Sequence, residues 1–382
     1  MNKGRIIPGQ TIGIIGGGQL GRMMALSARE MGYKIVVLDP TPKCPAAQIA
    51  DHQIVAAFND NEAIIELEKL SDIVTYEFEN INFEALHYLE KRNKLPQGSK
   101  LLKITQNRME EKQFLNDCTI NTVPFAAVKT LSDLEAFISK HGTPVVLKTC
   151  TGGYDGKGQW KVNSLNDSLE ELVTIMETNE CIVEKWITFS KEASIIVHRN
   201  EQGQTVTLPI SENIHVNHIL HQSIVPARID TAIKQKIEKI AGIIANELQM
   251  VGTLAIEVFI TELGDVFVNE MAPRPHNSGH YSIDACTFSQ FDLHVRAICN
   301  WSLPTPELVI PTIMVNILGQ HVEPIIVEVD KWYNAKLHLY GKEQSVHNRK
   351  MGHVNVLGSI DELQQEIKRT EIWSEELQMH GG

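Results

Sequence analysis

The hydrophobic pattern of the first hundred residues alternates between two periods. A β-branched run at 11–15 ends in three glycines, and apolar residues then recur at three-to-four spacing as far as Met31. The first pattern is typical of a buried strand and the second of an amphipathic helix. The same reasoning predicts strands at 35–38, 53–58 and 73–78 and a helix at 63–70. Strands that alternate with helices form parallel sheets, so residues 1–103 are predicted to form a parallel-sheet domain.

The pattern changes after the breakers Pro96 and Gly98, and a second domain is predicted over residues 104–300. Its predicted elements are a helix from about 103, strands at 145–148, 181–183, 193–197, 254–259 and 266–269, and a helix at 232–248. The turn-forming residues 262–265 make the last two strands a predicted hairpin, in which Glu257 and Glu270 face each other. Short strands at 314–318, 336–339 and 354–357 predict a small, mostly β domain over residues 301–382.

Composition narrows the class of protein. The chain has 382 residues, which is too long for a single core, and its formal net charge of −12 makes nucleic acid and anionic membranes unlikely partners. No uncharged apolar run approaches the ~20 residues that cross a bilayer. The six cysteines are scattered without CxxC or zinc-ligand spacing. These features favour a cytoplasmic protein with reduced thiols.

Two glycine-rich turns are candidates for binding phosphate. The first, at 16–21, matches GxGxxG between a strand and a helix, with Asp39 ending the next strand. Its backbone N–H groups suit any phosphorylated ligand, and a dinucleotide is one alternative. The second, at 152–158, follows Lys148 and contains Lys157. It lacks the P-loop sequence, so it indicates either a different polyphosphate-binding loop or a structural β-turn.

The hairpin and the segment after it carry further candidate chemistry. Glu257, Asn269 and Glu270 offer hard oxygen ligands for one or two magnesium ions, although either glutamate could instead be a solvated strand residue. Two prolines hold Arg274 and His276 on extended backbone, where an arginine fork suits bicarbonate or a transferring phosphoryl group. A polar surface loop is the alternative.

Together these motifs resemble the ATP-grasp enzymes, and among them the 5-(carboxyamino)imidazole ribonucleotide synthases of purine biosynthesis. The resemblance covers nearly the whole chain. It rests on GIIGGGQLGRM at 13–23, YEFENI at 76–81, GGYDGKGQ at 152–159, EKWI at 184–187, NEMAPRPHNSGH at 269–280, YGK at 340–342 and RKMGH at 349–353. It implies a mixed α/β and α+β chain: an ATP-grasp fold between a Rossmann-like N-terminal domain and a small C-terminal domain.

The resemblance also implies roles for individual residues. ATP is expected to contact Arg108, Lys148, Gly153, Tyr154, Asp155, Gly156, Lys157, Gly158, Gln159, Glu184, Lys185, Trp186, Ile187, Glu192, His215, Asn269 and Glu270. Magnesium is expected at Glu257, Asn269 and Glu270. The aminoimidazole ribonucleotide is expected to contact Gln19, Leu20, Glu77, Glu79, His276, Asn277, Lys342, Arg349 and Lys350, and the catalytic set is Arg274, Lys157, Tyr154 and Asp155. Trp186 departs from the tyrosine common at its position.

The implied reaction begins when bicarbonate attacks the γ-phosphorus of ATP to give carboxyphosphate. Carboxyphosphate then releases carbon dioxide beside the amine of the ribonucleotide, and the implied assembly is a homodimer. Three other functions stay open: a relative that activates formate or another carboxylate, a nucleotide-binding regulatory protein, and a dehydrogenase. Omitting bicarbonate, measuring phosphate release and testing NAD binding would distinguish them.

Overall fold

The computed structural model describes residues 4–153, 157–164, 170–332, 334–374 and 376. The first of its three sheets is parallel, has the strand order β3-β2-β1-β4 and confirms the predicted parallel-sheet domain. Its strands are β1 Thr11–Ile15, β2 Lys34–Leu38, β3 His52–Ile54 and β4 Ile73–Tyr76. Helices α1 Gln19–Glu30, α2 Asn61–Leu70 and α3 Phe83–Lys91 connect or follow them. Strand β3 ends earlier than predicted because its partner β2 stops before Asp39-Pro40.

The second sheet is small and antiparallel, with the order β5-β8-β6-β7. Helices α4 Lys100–Thr105 and α5 Arg108–Asp117 precede it. The sheet and its helices are β5 Phe125–Val128, α6 Leu131–His141, β6 Val145–Thr149, β7 Gln159–Val162, α7 Glu170–Thr178 and β8 Cys181–Lys185. Leu134 and Phe137 of α6 pack with Leu147 and Val183 of the strands in one buried cluster. Residues 150–153 follow β6 and residues 157–158 precede β7, so both of these described segments lie at one end of this sheet.

The third sheet is the largest, and strands from the central and C-terminal segments share it. Its order is β14-β13-β9-β11-β12-β15-β17-β16, with β10 beside β9. The strands are β9 Lys191–Arg199, β10 Thr205–Thr207, β11 Ser211–Val216, β12 Ile219–Val225, β13 Gly252–Ile260, β14 Val266–Ala272, β15 Thr312–Leu318, β16 Ala335–Leu339 and β17 Lys350–Leu357. Since β15 pairs with β12, the predicted boundary at residue 300 divides the sequence but not the sheet.

The remaining helices cover this large sheet and its ends. They are α8 Thr231–Glu247, α9 Ser282–Ala285, α10 Gln290–Ile298, α11 Val322–Val327 and α12 Ile360–Arg369, with 3-10 turns at Asn277–Gly279, Gly319–His321 and Val329–Lys331. Among the described residues, no helix is long and apolar enough to cross a membrane. All six cysteines belong to the described part, and each is a free thiol.

Helix α10 holds the N-terminal domain against the rest of the molecule. Phe291 and Val295 of α10 share a buried cluster with Leu20 and Met24 of α1. Burying one such side chain stabilises the fold by ~1.5 to 3 kcal/mol, so this contact is a substantial one. It fixes the first glycine turn, at the start of α1, relative to the large antiparallel sheet on which α10 packs.

A buried chain of hydrogen bonds crosses the same interface in one direction. The Thr75 hydroxyl lies 2.5 Å from Gln97 Oε1, which can only accept, so His294 Nε2, 2.9 Å away, must donate to Thr75. His294 Nδ1 then accepts from Thr253 at 3.0 Å, and His198 Nδ1 donates to Thr253 at 2.8 Å. Burial lowers the pKa of both histidines, so both rings are neutral at pH 7. The chain therefore links strand β4 to strands β13 and β9.

Candidate active site

A cleft of about 660 Å³ lies where the three sheets approach one another. Its walls contain most of the residues predicted to act: Gln19, Leu20, Glu77, Glu79, Arg108, Lys148, Gly153, Gln159, Glu184, Lys185, Trp186, Ile187, Glu192, His215, Glu257, Asn269, Glu270, Arg274, His276, Asn277 and Lys350. Residues from all three predicted domains therefore meet in one cavity.

Seven predicted residues do not line the cleft or fall outside the described residues. Lys157, Gly158, Lys342 and Arg349 are described, but none of them forms part of the cleft wall. The predicted ligand contacts at Tyr154, Asp155 and Gly156 lie outside the described residues. The second glycine-rich turn, predicted at 152–158, is therefore described at 152–153 and at 157–158.

Three buried charged residues, Lys148 and Glu184 of the small sheet and Lys112 of α5, lie together near the predicted phosphate site. Lys148 Nζ is 2.8 Å from Glu184 Oε2, and Lys112 Nζ is 3.3 Å from Glu184 Oε1. Burial opposes ionisation of Glu184, yet the two ammonium groups lower its pKa to about 2. Burial also lowers the pKa of Lys148, and the nearby cations Lys112 and Arg108 lower it further. An incoming anion would relieve this excess of positive charge.

The predicted hairpin is confirmed, and it contains a bulge. Strands β13 and β14 pair Glu257 with Glu270, but Val258 pairs with Val268, which leaves Asn269 as an extra residue on β14. A bulge re-aims the side chains beside it, and here Asn269 and Glu270 both line the cleft with Glu257. Without the extra residue, neighbours on one strand would point to opposite faces.

These three side chains fit a magnesium ion. Burial and the neighbouring Glu270 raise the pKa of Glu257 to about 7. The two carboxylates repel each other, and a divalent cation between them would relieve that repulsion. Among the described residues, no three His, Cys, Asp or Glu side chains converge to hold a metal by themselves. Magnesium is usually held by one or two carboxylates together with substrate phosphates, and two glutamates beside an asparagine match that donor set.

Two histidines accompany these carboxylates. His215 Nδ1 lies 2.5 Å from Glu192 Oε2, and His276 Nε2 lies 3.5 Å from Glu257 Oε1. Burial alone would lower the pKa of His215, but the hydrogen bond to Glu192 raises it above its usual value. For His276 burial dominates and Arg274 adds to it, so its pKa is well below the usual value. The pKa values of the two imidazoles are therefore shifted in opposite directions.

The first glycine turn is filled by the protein's own carboxylates. Glu77 accepts the N–H groups of Gly18 and, at 2.6 Å, Gly21, while Asp39 Oδ2 accepts that of Gly17 at 2.7 Å. A Cβ on Gly18 would lie 2.6 Å from Glu77 Oε1, so this approach requires glycine. These N–H groups are not available to a pyrophosphate, which contradicts the dinucleotide alternative.

Beside this turn, Arg274 and Glu79 form an ion pair across the cleft. Arg274 Nη2 lies 2.9 Å from Glu79 Oε1, and Nη1 donates to the carbonyl of Pro275 at 3.2 Å. Burial raises the pKa of Glu79, and the nearby Arg274 opposes that increase. Arg274 follows β14 on non-helical backbone, as the two prolines predicted. The pair holds a guanidinium between the glycine turn and the hairpin.

The three predicted basic residues of the C-terminal segment lie together near the cleft. Lys342 Nζ donates to the carbonyl of Lys350 at 2.6 Å. Burial is the main cause that lowers the pKa of Lys342 to about 8. The positive charges of Arg349 and Lys350 lower it further. Of the three, Lys350 lines the cavity. Lys342 and Arg349 lie behind it and strengthen the positive potential there.

Residues 184–187, at the end of β8 and just after it, also line the cleft. Lys185 N–H donates to Pro124 O at 2.9 Å and Trp186 N–H to Pro144 O at 3.1 Å. Within the described parts of the chain, Ile187 N–H has no acceptor, so it can meet a ligand. The Trp186 ring is 39% exposed, and Lys161 Nζ lies 3.9 Å from its centroid.

The sequence reasoning missed several residues of this site. The stacked rings of Phe189 and Phe259, 4.5 Å apart, line the cleft, and so does the buried Glu111. The buried Lys112 was also missed. Arg108, Glu111 and Lys112 have the spacing of one helical face, and that spacing could have identified the last two. The aromatic residues left no such signal, because strands commonly contain phenylalanine.

Comparison with known proteins identifies the family of this chain. Three family models match: the ribonucleotide synthetase preATP-grasp domain over residues 9–106, the ATP-grasp domain over 113–291, and the phosphoribosylaminoimidazole carboxylase C-terminal domain over 312–366. The N5-carboxyaminoimidazole ribonucleotide synthase of Bacillus subtilis (strain 168) is 48% identical over 368 residues, which are 96% of this chain and 97% of that protein. The chain belongs to the N5-carboxyaminoimidazole ribonucleotide synthase family. The predicted family is confirmed.

Solved structures of this synthase family have the same fold. An ADP complex of N5-carboxyaminoimidazole ribonucleotide synthetase superposes with a TM-score of 0.95 at 51% identity, over 98% of this chain and 100% of that one. A synthase from Aspergillus clavatus in complex with ADP and 5-aminoimidazole ribonucleotide superposes with a TM-score of 0.87 at 30% identity. The match covers 94% of this chain and 97% of that one. The ATP-grasp fold and the flanking domains of the synthase family are thus confirmed for this chain.

Proposed function

We propose that this protein carboxylates 5-aminoimidazole ribonucleotide with bicarbonate, using ATP, to form N5-carboxyaminoimidazole ribonucleotide, ADP and phosphate in purine biosynthesis. The observation that carries the proposal is the single cleft that joins a phosphate-binding end, at Lys148 and Arg108, to an acceptor end, at Gln19 and Lys350. Membership of the synthase family supports the same reaction.

In the proposed reaction, a bicarbonate oxygen attacks the γ-phosphorus, and the bond from that phosphorus to the leaving oxygen of ADP breaks. Lys148 and Arg108 stabilise the charge on the phosphoryl oxygens, and Arg274 orients bicarbonate with its two parallel N–H groups. Carboxyphosphate then separates into phosphate and carbon dioxide. The exocyclic amine of the ribonucleotide attacks the carbon and loses a proton to give the carbamate.

The remaining predicted residues have binding roles in this proposal. Glu257, Asn269 and Glu270 would hold magnesium, which when bound neutralises charge on the nucleotide phosphates. The Ile187 N–H meets the adenine base, and Glu192 the ribose. On the acceptor side, the ribonucleotide contacts residues of the cleft wall: Gln19, Leu20, Glu77, Glu79, His276, Asn277 and Lys350. Lys342 and Arg349, which do not line the cleft, act on its phosphate through their positive charge. The catalytic and ATP-binding roles predicted for Lys157, Tyr154 and Asp155 stay part of the proposal.

A substrate-omission experiment tests the function. The protein is incubated with ATP, bicarbonate and aminoimidazole ribonucleotide, and ADP is measured with each one left out. We expect ADP formation to require bicarbonate. Formation of ADP with formate in place of bicarbonate would instead support the rival carboxylate-activating ligase, and an absence of ADP would support a regulatory protein.

Lys350 is expected to serve the ribonucleotide rather than ATP. Because a lost charged hydrogen bond costs about 1.5 to 3 kcal/mol, Lys350→Ala should raise the KM for the ribonucleotide roughly ten- to a hundredfold. The KM for ATP should change far less. Steady-state kinetics with each substrate varied in turn measures both, and equal effects on the two substrates would refute this division.

Lys342 is expected to give the acceptor step a pH dependence. Its pKa is about 8, so the side chain is a cation below that pH and loses its charge as the pH rises through it. We expect kcat/KM for the ribonucleotide to fall above about pH 8, because the positive potential at its phosphate weakens. The value for ATP, at the far end of the cleft, is the internal control. If Lys342→Met retains the same alkaline fall, another group is responsible.

We further propose a cytoplasmic homodimer. Exposed apolar side chains in the C-terminal segment support an interface there: Ile326, Val327, Val329, Leu337 and Leu339. Leu337 and Leu339 are on β16, which ends the order of the large sheet. Sedimentation at several concentrations would distinguish the dimer from a monomer.

A further inference from the structure

One face of helix α5 contacts three consecutive residues of strand β14. Arg108 Nη1 lies 3.3 Å from the carboxylate of Glu270. Two further contacts are to the backbone: Glu111 Oε1 accepts Met271 N–H at 2.6 Å, and Lys112 Nζ donates to the Asn269 carbonyl at 3.3 Å. Since the three side chains are at positions i, i+3 and i+4, a single helical face makes all of these contacts.

These contacts occupy the outer edge of the large sheet. Strand β14 is first in its order, so no neighbouring strand pairs with its outer N–H and C=O groups. Glu111 and Lys112 bond to two of those groups, and Val268 N–H donates to Asn121 O at 2.9 Å in the segment after α5. A bulge disrupts the regular ladder at Asn269. The helix therefore holds the bulged part of β14, where the hydrogen bonds to β13 are least regular.

Lys112 also contacts the other wall of the cleft. Its Nζ lies 3.3 Å from Glu184 on β8 of the small sheet, and the same carboxylate bonds to Lys148. The side chains of Lys112 and Glu184 are only 1% and 5% exposed. A buried charge left without a partner is strongly destabilising, so each ammonium has a defined position. One buried ammonium thus joins the small sheet, which carries Glu184, to the large sheet, which carries Glu270.

We propose that Lys112 and Glu111 are positioning residues that fix the two walls of the nucleotide cleft relative to each other. Lys112 bridges Glu184 and Asn269, while Glu111 holds the backbone at Met271. Neither side chain has to contact the reacting atoms. The inference rests on the proposed function in taking ATP as the ligand between these walls, and it predicts that substitutions here weaken nucleotide binding far more than ribonucleotide binding.

Lys112→Met tests the bridge, because methionine keeps much of the length and removes the charge. We expect kcat/KM for ATP to fall about ten- to a hundredfold, and the KM for the ribonucleotide to stay within about twofold. In EDTA, the calorimetric Kd for ADP should rise at least about tenfold, which separates this effect from metal binding. Lys112→Arg, which keeps the charge, should recover part of the affinity. Lys100→Met, at an exposed lysine of α4, is the matched control.

Glu111 gives a second test that does not depend on Lys112→Met folding. Glu111→Gln keeps an oxygen for Met271 N–H, so it should bind ADP more tightly than Glu111→Leu, while Glu110→Leu, at the exposed neighbour, serves as control. Lys112→Met and Glu111→Leu that bind ADP as their controls do would overturn the inference. A wild-type protein that binds ADP but forms no carboxylated product would overturn the proposed function instead and leave the ADP comparison valid.

Discussion

Glu270→Gln is expected to abolish ADP formation while leaving the fold intact. The amide keeps the shape of the side chain but removes the charge that, with Glu257, makes the hairpin a site for magnesium. Even residues that only support metal ligands commonly contribute ~10- to 100-fold in affinity or activity, so loss of a ligand charge should lower turnover by ~100-fold or more. ADP release over a range of magnesium concentrations measures the effect.

A control for this substitution lies in the same hairpin. Glu262 is exposed in the turn between β13 and β14, and Glu262→Gln removes an identical charge outside the cleft. We expect it to leave turnover and the melting temperature nearly unchanged. Near-normal turnover of Glu270→Gln at ordinary magnesium concentration would show that Glu270 is not needed as a metal ligand.

Arg274→Lys is expected to lower kcat by about 100- to 1000-fold, the cost of losing one donor aimed at a developing negative charge. Lysine keeps the charge but cannot donate the two parallel hydrogen bonds of a guanidinium. The KM for ATP should change little, because Arg274 pairs with Glu79 on the acceptor side of the cleft. Rapid-quench measurement of phosphate release reports the chemical step directly.

The matched control is an arginine–glutamate pair away from the cleft. Arg228 pairs with Glu212 as Arg274 pairs with Glu79, but neither Arg228 nor Glu212 lines the cavity. Arg228→Lys should therefore leave kcat within about twofold, since partly exposed ion pairs contribute only about 0 to 1 kcal/mol. A kcat for Arg274→Lys similar to that of this control would remove Arg274 from the catalytic step.

Local signals in the sequence were sufficient for much of the site. Turn residues at 262–265 and alternating apolar positions predicted the hairpin, and its register pairs Glu257 with Glu270 as expected. The bulge at Asn269 was not predicted, because one extra residue on a strand leaves no trace in a short alternation. The adjacent Asn269 and Glu270 were nevertheless both proposed as magnesium ligands, because the predicted hairpin brings their hard oxygen donors close to Glu257.

Other features depend on contacts between distant parts of the chain. The resemblance implied that Glu77 contacts the ribonucleotide, but the sequence did not reveal that its carboxylate fills the glycine turn. Nor did it reveal the burial of Lys112 between Glu184 and Asn269, because burial is set by tertiary packing. The strands of the C-terminal segment were predicted, but local pattern could not identify β12 as the partner of β15.

The shared sheet has a consequence for how the chain becomes active during its synthesis. Strand β12 leaves the ribosome well before β15 and β17, which complete the sheet beside it. Until they emerge, β12 has one unpaired edge, and unpaired strand edges in incompletely folded chains promote aggregation. The same late segment carries Lys350 into the cleft. The cleft therefore lacks part of its wall until the C-terminal segment has been synthesised, even though the parallel-sheet domain can fold earlier.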